Sequence, residues 1–333
     1  MRGETRGYRP IAAGLIAAGM AAAAMVAAAM AATAATPGFP DRPITMIVPW
    51  GVGGGGDRVG RIFAGLMSAK LGVSVPVINV TGAASQVGLN KALAEPADGY
   101  NVIEITSDSY ILFAAANAKF KTSDFTALAV VDQQPSGFFV RTDSPFKTWD
   151  DVVAAAKSRT VTVAGSGFGT QSDVTVNYFD KVQGLKFVSV PFDDPGLRWN
   201  SLLGGHNDLL YAQFGDLTAY LQSKQIRPIL AFADKRVAEY PAIPTVTELD
   251  YRINITHFRA FAVKNGTEPR RYDTLVAAMN AAAQSPDYKK MLADEAAVPD
   301  SYVSGPAAQA YVQKWVTGLQ DVVAKNGVKK SGG

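Results

Sequence analysis

Cysteine is missing from all 333 residues and histidine occurs only twice. Without thiols there is no disulfide framework and no thiolate zinc or iron–sulfur site, and two histidines exclude a three-histidine metal centre. A surplus of either charge is also lacking. Lysine and arginine total 32 against 29 aspartates and glutamates, and leaving out Arg2, Arg6, Arg9 and Glu4 near the start reduces this to 29 against 28. So even a balance provides no basic surface for nucleic acid. Beyond residue 36 a charge, proline or glycine interrupts each apolar run, so no later segment reads as a membrane span. Apolar residues as a class are plentiful, at 48%. That is enough for one large or two medium α/β domains of roughly 100–150 residues each.

Three arginines, Arg2, Arg6 and Arg9, precede Pro10 to Thr36, a stretch rich in alanine without one charged side chain. A basic start, an apolar middle and the small-residue sequence Ala32-Thr33-Ala34 read as an export signal cleaved near residues 34–36. The stretch is also long enough for a retained anchor. Alanine is only weakly lipophilic, which favours cleavage. The expectation is a signal peptide over 1–35 and a body released into the periplasm.

The body reads as two similar sets of strand, loop and helix. In the first, Ile44–Val48 has strand composition and Pro49–Gly56 forms a loop. Asp57 stands at a helix N-cap, followed by Val59, Ile62, Phe63 and Leu66 at helical spacing. Strands over Val75–Val80 and Tyr100–Ile105 follow. The second set runs through a strand at Val161–Ala164, a loop at Gly165–Ser172, a helix over Asp173–Val182, and later strands ending at Ile229–Phe232. Such alternation predicts largely parallel sheets covered by helices. Thr142-Asp143-Ser144-Pro145 reads as one chain crossing and His257–Val263 as a return strand. This gives lobe 1 as 36–140 plus 258–333 and lobe 2 as 141–257, with a ligand cleft between two α/β lobes.

The strongest local signal is Trp50-Gly51-Val52-Gly53-Gly54-Gly55-Gly56-Asp57. Glycines at a strand exit leave backbone N–H groups uncovered where a helix begins, which suits an anion. Gly51, Gly53 and Gly56 also satisfy GxGxxG, but a dinucleotide site wants an acidic residue about 20 positions on. Asn79 stands there instead, and no GK[ST] marks a P-loop. Ser166, Gly167, Phe168, Gly169 and Thr170 form a second loop of the same kind, so two loops could clamp both ends of a small dicarboxylate. The competing reading of each loop, weighed below the anion site, is an ordinary glycine turn or capped helix start. Trp50 and Phe168 either flank an apolar part of the ligand or pack on their own lobes. Asp108 reads as a helix cap rather than a catalytic acid. His206 and His257 read as surface or core-edge residues. No GxSxG elbow ties a serine to either histidine, so nothing marks an enzyme.

Taken in order, Pro40-Asp41-Arg42-Pro43-Ile44, Val48-Pro49, the glycine run to Asp57, Asn79, Gly82-Ala83 and Pro96-Ala97-Asp98-Gly99-Tyr100 form a recognisable series. It continues with Gly165-Ser166-Gly167, Val190-Pro191-Phe192, Leu203-Gly204-Gly205 and Ile243-Pro244-Thr245-Val246. This series resembles the solute receptors of tripartite tricarboxylate transporters, the Bordetella uptake gene family, over nearly the whole body. The resemblance implies a type II periplasmic binding protein that closes around a small organic acid: a dicarboxylate, aromatic or amino carboxylate. It implies no cofactor, and delivery to a two-component integral membrane permease. It also implies a pocket wall that includes Gly82, Ala83, Ala84, Ser107, Asp108 and Phe192. Where the family has small neutral residues after the Val-Pro-aromatic piece, this chain has Asp193 and Asp194. Two carboxylates there would repel a ligand carboxylate unless they face an amine or a cation, or point away. A secreted enzyme acting on a related acid and a ligand-sensing module are the competing readings.

Overall fold

The computed structural model describes residues 38–114 and 119–325. The expected signal peptide lies outside the described residues. From Arg42 onward the chain forms one compact unit holding two mixed sheets.

The first sheet begins with β1 (Thr45–Val48), β2 (Val77–Asn79) and β3 (Asn101–Thr106), which are parallel, with β1 in the middle. Helices α1 (Gly55–Leu71) and α2 (Gln86–Ala94) connect them, and α3 (Ser107–Ala114) follows β3 directly. Val59, Phe63 and Met67 recur at helical spacing on α1 and are fully buried. Gly72 ends α1 in the left-handed region, and its N–H bonds Ser68 O at 3.0 Å. A ten-residue strand, β4 (Phe125–Gln134), then leads to β5 (Ser136–Arg141).

β5 belongs to the second sheet, between β8 (Leu209–Gln213) and β9 (Ile226–Phe232). The chain therefore crosses at Pro135, earlier than the crossing expected at 142–145. β5 is the first buried strand of lobe 2, because its register commits it to β8 and β9. The sheet is completed by β6 (Val161–Gly165) and β7 (Phe187–Pro191), in the order β7-β6-β8-β5-β9. Its helices are α4 (Trp149–Ser158), α5 (Gln171–Asn177), α6 (Pro195–Leu203) and the short α7 (Thr218–Gln222). α4 opens on a capping box: Thr148 Oγ1 accepts from Asp151 N, and Asp151 Oδ2 accepts from Thr148 N at 2.8 Å.

The chain returns as β10 (His257–Lys264), which inserts antiparallel between β3 and β4. Helices α8 (Pro269–Ala283) and α9 (Pro286–Asp294) follow, then β11 (Val303–Ser304) beside β4. The largely parallel sheets expected from the sequence are thus mixed. Strands joined by crossover helices are parallel, whereas β4, β5 and β10 carry the chain between sheets without one and run antiparallel to their neighbours.

Each sheet has its own core. Ile47, Ile103, Phe113, Phe125, Val130 and Phe258 fill the first, and Phe138, Trp149, Phe179, Phe187 and Phe232 the second. The last helix, α10 (Pro306–Lys325), serves both: Val312 and Val316 lie in the first core and Leu319 in the second.

Candidate functional site

The exits of β1, β3, β6, β7 and β8, the start of β10 and the start of α6 line a cavity of about 50 Å³. At roughly 10–15 Å³ per water-sized group, it takes about three to five such groups, the span of a short acid. From the expected set, Trp50, Gly51, Gly54, Gly55, Asp108, Ser166, Phe192 and Asp193 line it. Gly53, Asp57, Gly82, Ala83, Ala84, Ser107, Gly167, Gly169, Thr170 and Asp194 do not, and Val52 and Phe168 are largely exposed to solvent.

The two glycine loops spend much of their backbone on themselves. Asp57 sits in the first turn of α1 rather than at its N-cap, and its Oδ2 accepts from Gly53 N at 3.0 Å. Gly54 N donates to Gly51 O. In the second loop, Ser166 N donates to Ser172 Oγ at 3.0 Å and Gly169 N to Asp173 Oδ2 at 2.9 Å. The expectation of two facing sets of bare amides is corrected accordingly. Short polar side chains one turn into each helix fold back on the loop before it, as Asx and Ser turns do. What remains available in the first loop is the opening turn of α1, where Gly55 and Gly56 have no intrahelical acceptor for their N–H groups. Both positions demand glycine on space alone. A Cβ on Gly55 would stand 2.0 Å from Arg259 Nη2 and from Asp216 Oδ1, and one on Gly56 would stand 2.6 Å from Glu104 Oε2.

Asp108 does meet a helix start, but across the two sheets. Its Oδ1 accepts from Gln171 N, the first residue of α5, at 2.6 Å. Burial pushes its pKa up to about 6 against that hydrogen bond and the charge of Arg198. Asp194 is the N-cap of α6, accepting from Leu197 N at 2.7 Å ahead of Pro195. Its carboxylate is turned to its own helix, leaving Asp193 as the member of the pair on the cavity wall.

The residues that sequence reasoning missed are the charged ones beneath the loops: Arg198, Asp216 and Arg259, joined by Thr106, Gln213 and the underrated His257. Arg259, 2% exposed, is paired across β10 and β4 with Asp132; its N donates to Oδ1 at 2.9 Å and its Nη1 to Oδ2 at 2.7 Å. Its Nη2 reaches Asp216 Oδ1 at 3.0 Å, in the turn after β8, which joins the two sheets. Arg58 of α1 reaches the same oxygen at 3.4 Å and Glu295 Oε1 at 2.5 Å. The desolvation of Asp216 is overcome by these arginines, so its pKa falls below the ordinary value.

Arg198 differs. It is 7% exposed, it has no carboxylate at ion-pair distance among the described residues, and its Nε has no hydrogen-bond partner. Burial pulls its pKa down, with only the more distant charges of Asp216 and Asp108 opposing. Trp50 Nε1 is likewise buried and unpartnered. These are donors on a cavity wall, and their natural complement is an acceptor, best an anionic one. No sequence pattern betrays Arg198, which stands between Leu197 and Trp199 like any helical surface residue.

Comparison with known proteins decides the family. The profile of the tripartite tricarboxylate transporter family receptor matches residues 59–327. The chain belongs to this receptor family. It is 30% identical over 270 residues to the UPF0065 protein in the TAR-I ttuE-ttuC' intergenic region of Agrobacterium vitis, covering 78% of this receptor and 77% of the relative. It is 27% identical over 271 residues to protein BugT of Bordetella pertussis, with 78% and 82% covered. Among solved structures, the receptor superposes on the periplasmic binding protein BugD with a TM-score of 0.79 at 24% identity, covering 88% of this chain and 100% of that one. MatC of Rhodopseudomonas palustris, solved with bound malate, gives 0.79 at 23% identity, with 86% and 100% covered. These similarities establish the two-lobed binding-protein fold. Proteins of this family are solute-binding receptors rather than enzymes.

Proposed function

We propose that this receptor binds a small organic carboxylate in the cavity between its sheets and delivers it, from the periplasm, to a two-component membrane permease. The observation that carries the reading is Arg198: a guanidinium more than nine-tenths buried, on the cavity wall, with no carboxylate at ion-pair distance among the described residues. A buried charge without a partner is costly, and a structure retains one where a ligand completes the pair. Trp50 Nε1 and the opening amides of α1 add neutral donors on the same wall. Malate in MatC and adipate in a second R. palustris protein of the same fold, at 21% identity, are small carboxylates.

The test is calorimetry on ligand-stripped protein, using whichever short acid gives the largest shift in a thermal-shift screen. Arg198→Met is expected to weaken binding by about 100-fold, as truncation of one partner of a desolvated charge pair does. The same change leaves the melting temperature of the ligand-free protein level or raises it, because it removes an uncompensated buried charge. Unaltered affinity in Arg198→Met would exclude the guanidinium from the site.

A further inference from the structure

Beside donors such as Arg198 and Trp50, the cavity wall also carries acceptors. His257 is 3% exposed, and its Nδ1 lies 3.1 Å from Gln171 Oε1. The amide of Gln171 is oriented by Nε2, which donates to Ile255 O at 3.1 Å and Thr256 O at 3.3 Å. Oε1 is therefore an acceptor, and His257 must carry its proton on Nδ1 to meet it. Nδ1 also lies 3.0 Å from Ser107 Oγ, which accepts from Phe258 N. Burial, followed by the charge of Arg259, lowers the histidine pKa well below its usual value, so the ring is neutral. Nε2 is then a bare lone pair, buried and without a partner, on a residue that lines the cavity.

Beside it stands Asp108. One carboxylate oxygen is held by the Gln171 amide, the same residue that orients His257, and Oδ2 makes no hydrogen bond among the described residues. The Gln171 amide thus already holds a carboxylate from the protein itself. A ligand carboxylate brought here would meet Asp108 and the His257 lone pair, while Asp216 on the same wall is already paired with Arg259 and Arg58.

From this wall we infer that the receptor selects a monocarboxylate whose other polar group is a protonated amine or comparable N–H donor, with Arg198 and Trp50 taking the carboxylate and Asp108 and His257 taking the nitrogen. The inference rests on the carboxylate reading above and makes Asp108 the residue that sets specificity. A dicarboxylate of matching length would be discriminated against, because it places its second anion against Asp108 and leaves the His257 lone pair without a donor.

The test is calorimetry at pH 8 on ligand-stripped protein, with short straight-chain acids from glycine to 6-aminohexanoate. Each is compared with the acid that carries a terminal carboxylate, and with the one that carries a terminal methyl, in place of the amine. The amine form is expected to bind at least about tenfold tighter than both counterparts at the best chain length. Asp108→Asn keeps an oxygen for the Gln171 amide and turns the other end from acceptor to donor. It should erase the amine preference and raise dicarboxylate affinity, with the thermal melt confirming that the variant is folded. Dicarboxylates binding wild type as tightly as the amine forms would overturn the inference while leaving the carboxylate reading intact. An Asp108→Asn protein that is folded and keeps the full amine preference would also overturn it. If no member of any series binds, the carboxylate reading itself falls, and the inference with it.

Discussion

Glu104 lies on the central strand β3 with no exposed surface, its carboxyl packed against Gly56 and both oxygens without a hydrogen-bond donor. Burial pushes its pKa up to about 8, although Arg259 lies 3.8 Å away and opposes the shift. The folded protein therefore holds this proton more tightly than the unfolded chain, where the value is the ordinary 4.5. The associated stability is fully present below pH 4.5 and is lost as the pH rises toward 8. Glu104→Gln removes the titration. It should melt with the wild type near pH 5 and about 3 °C or more above it at pH 8.5, a shift that corresponds to roughly 1 kcal/mol in a protein of this size. A difference that stays constant across that range would show that Glu104 does not titrate as its burial demands. None of this is legible in the sequence, where Glu104 is one charge inside an apolar run. Arg198, Asp216 and Arg259 are hidden for the same reason. Each becomes special only when residues far apart in the chain remove its water, as Asp132 and Asp216 do around Arg259. Trp50 and Gly54, by contrast, are legible, because a glycine run between a strand and an amphipathic helix is a local signature.

Among the elements, α6 carries the most functional weight for its length of nine residues. Its start is fixed by Asp194, whose side chain accepts the Leu197 N–H, and by Pro195 at the first helical position, packed against Gly51. Arg198 follows one turn later. A helix start that is pinned in this way sets where the guanidinium points. Asp194→Ala is expected to cost about 1 kcal/mol, seen as a melting temperature lower by about 2–4 °C, and to weaken ligand binding several-fold without removing it. A variant with unchanged melt and affinity would mean the cap does not position Arg198. The sequence reads as a helix over Leu197–Leu203, two residues short of the observed start at Pro195. It misses β4 entirely: eight of the ten positions from Phe125 to Gln134 are buried, so the strand shows no alternation between two faces. That strand supplies Asp132, and without it neither the placement of Arg259 nor the crossing at Pro135 can be foreseen.

At the scale of the whole molecule, two sheets with separate cores are joined at β4–β5, at the segment leading into β10, and along α10. They are also latched where Asp216 meets Arg259 and Arg58, where Asp108 meets Gln171, and where Thr218 Oγ1 donates to Asp294 O at 2.9 Å. Asp108, Asp216 and Arg259 also line the cavity, so these latches hold its two sides together, and a ligand adds only what it contacts on both sides. Arg198 comes from the second sheet's helices, and Trp50 and the start of α1 come from the first. Under the proposed function, a carboxylate held by both bridges the sheets and so ties binding to closure. The most direct test is a crystal structure of the receptor with the acid that binds it most tightly. The account predicts a carboxylate oxygen at about 3 Å from the Arg198 guanidinium and another at similar distance from Trp50 Nε1. A ligand seated elsewhere, or one whose carboxylate lies away from Arg198 while that side chain stays buried, would contradict it.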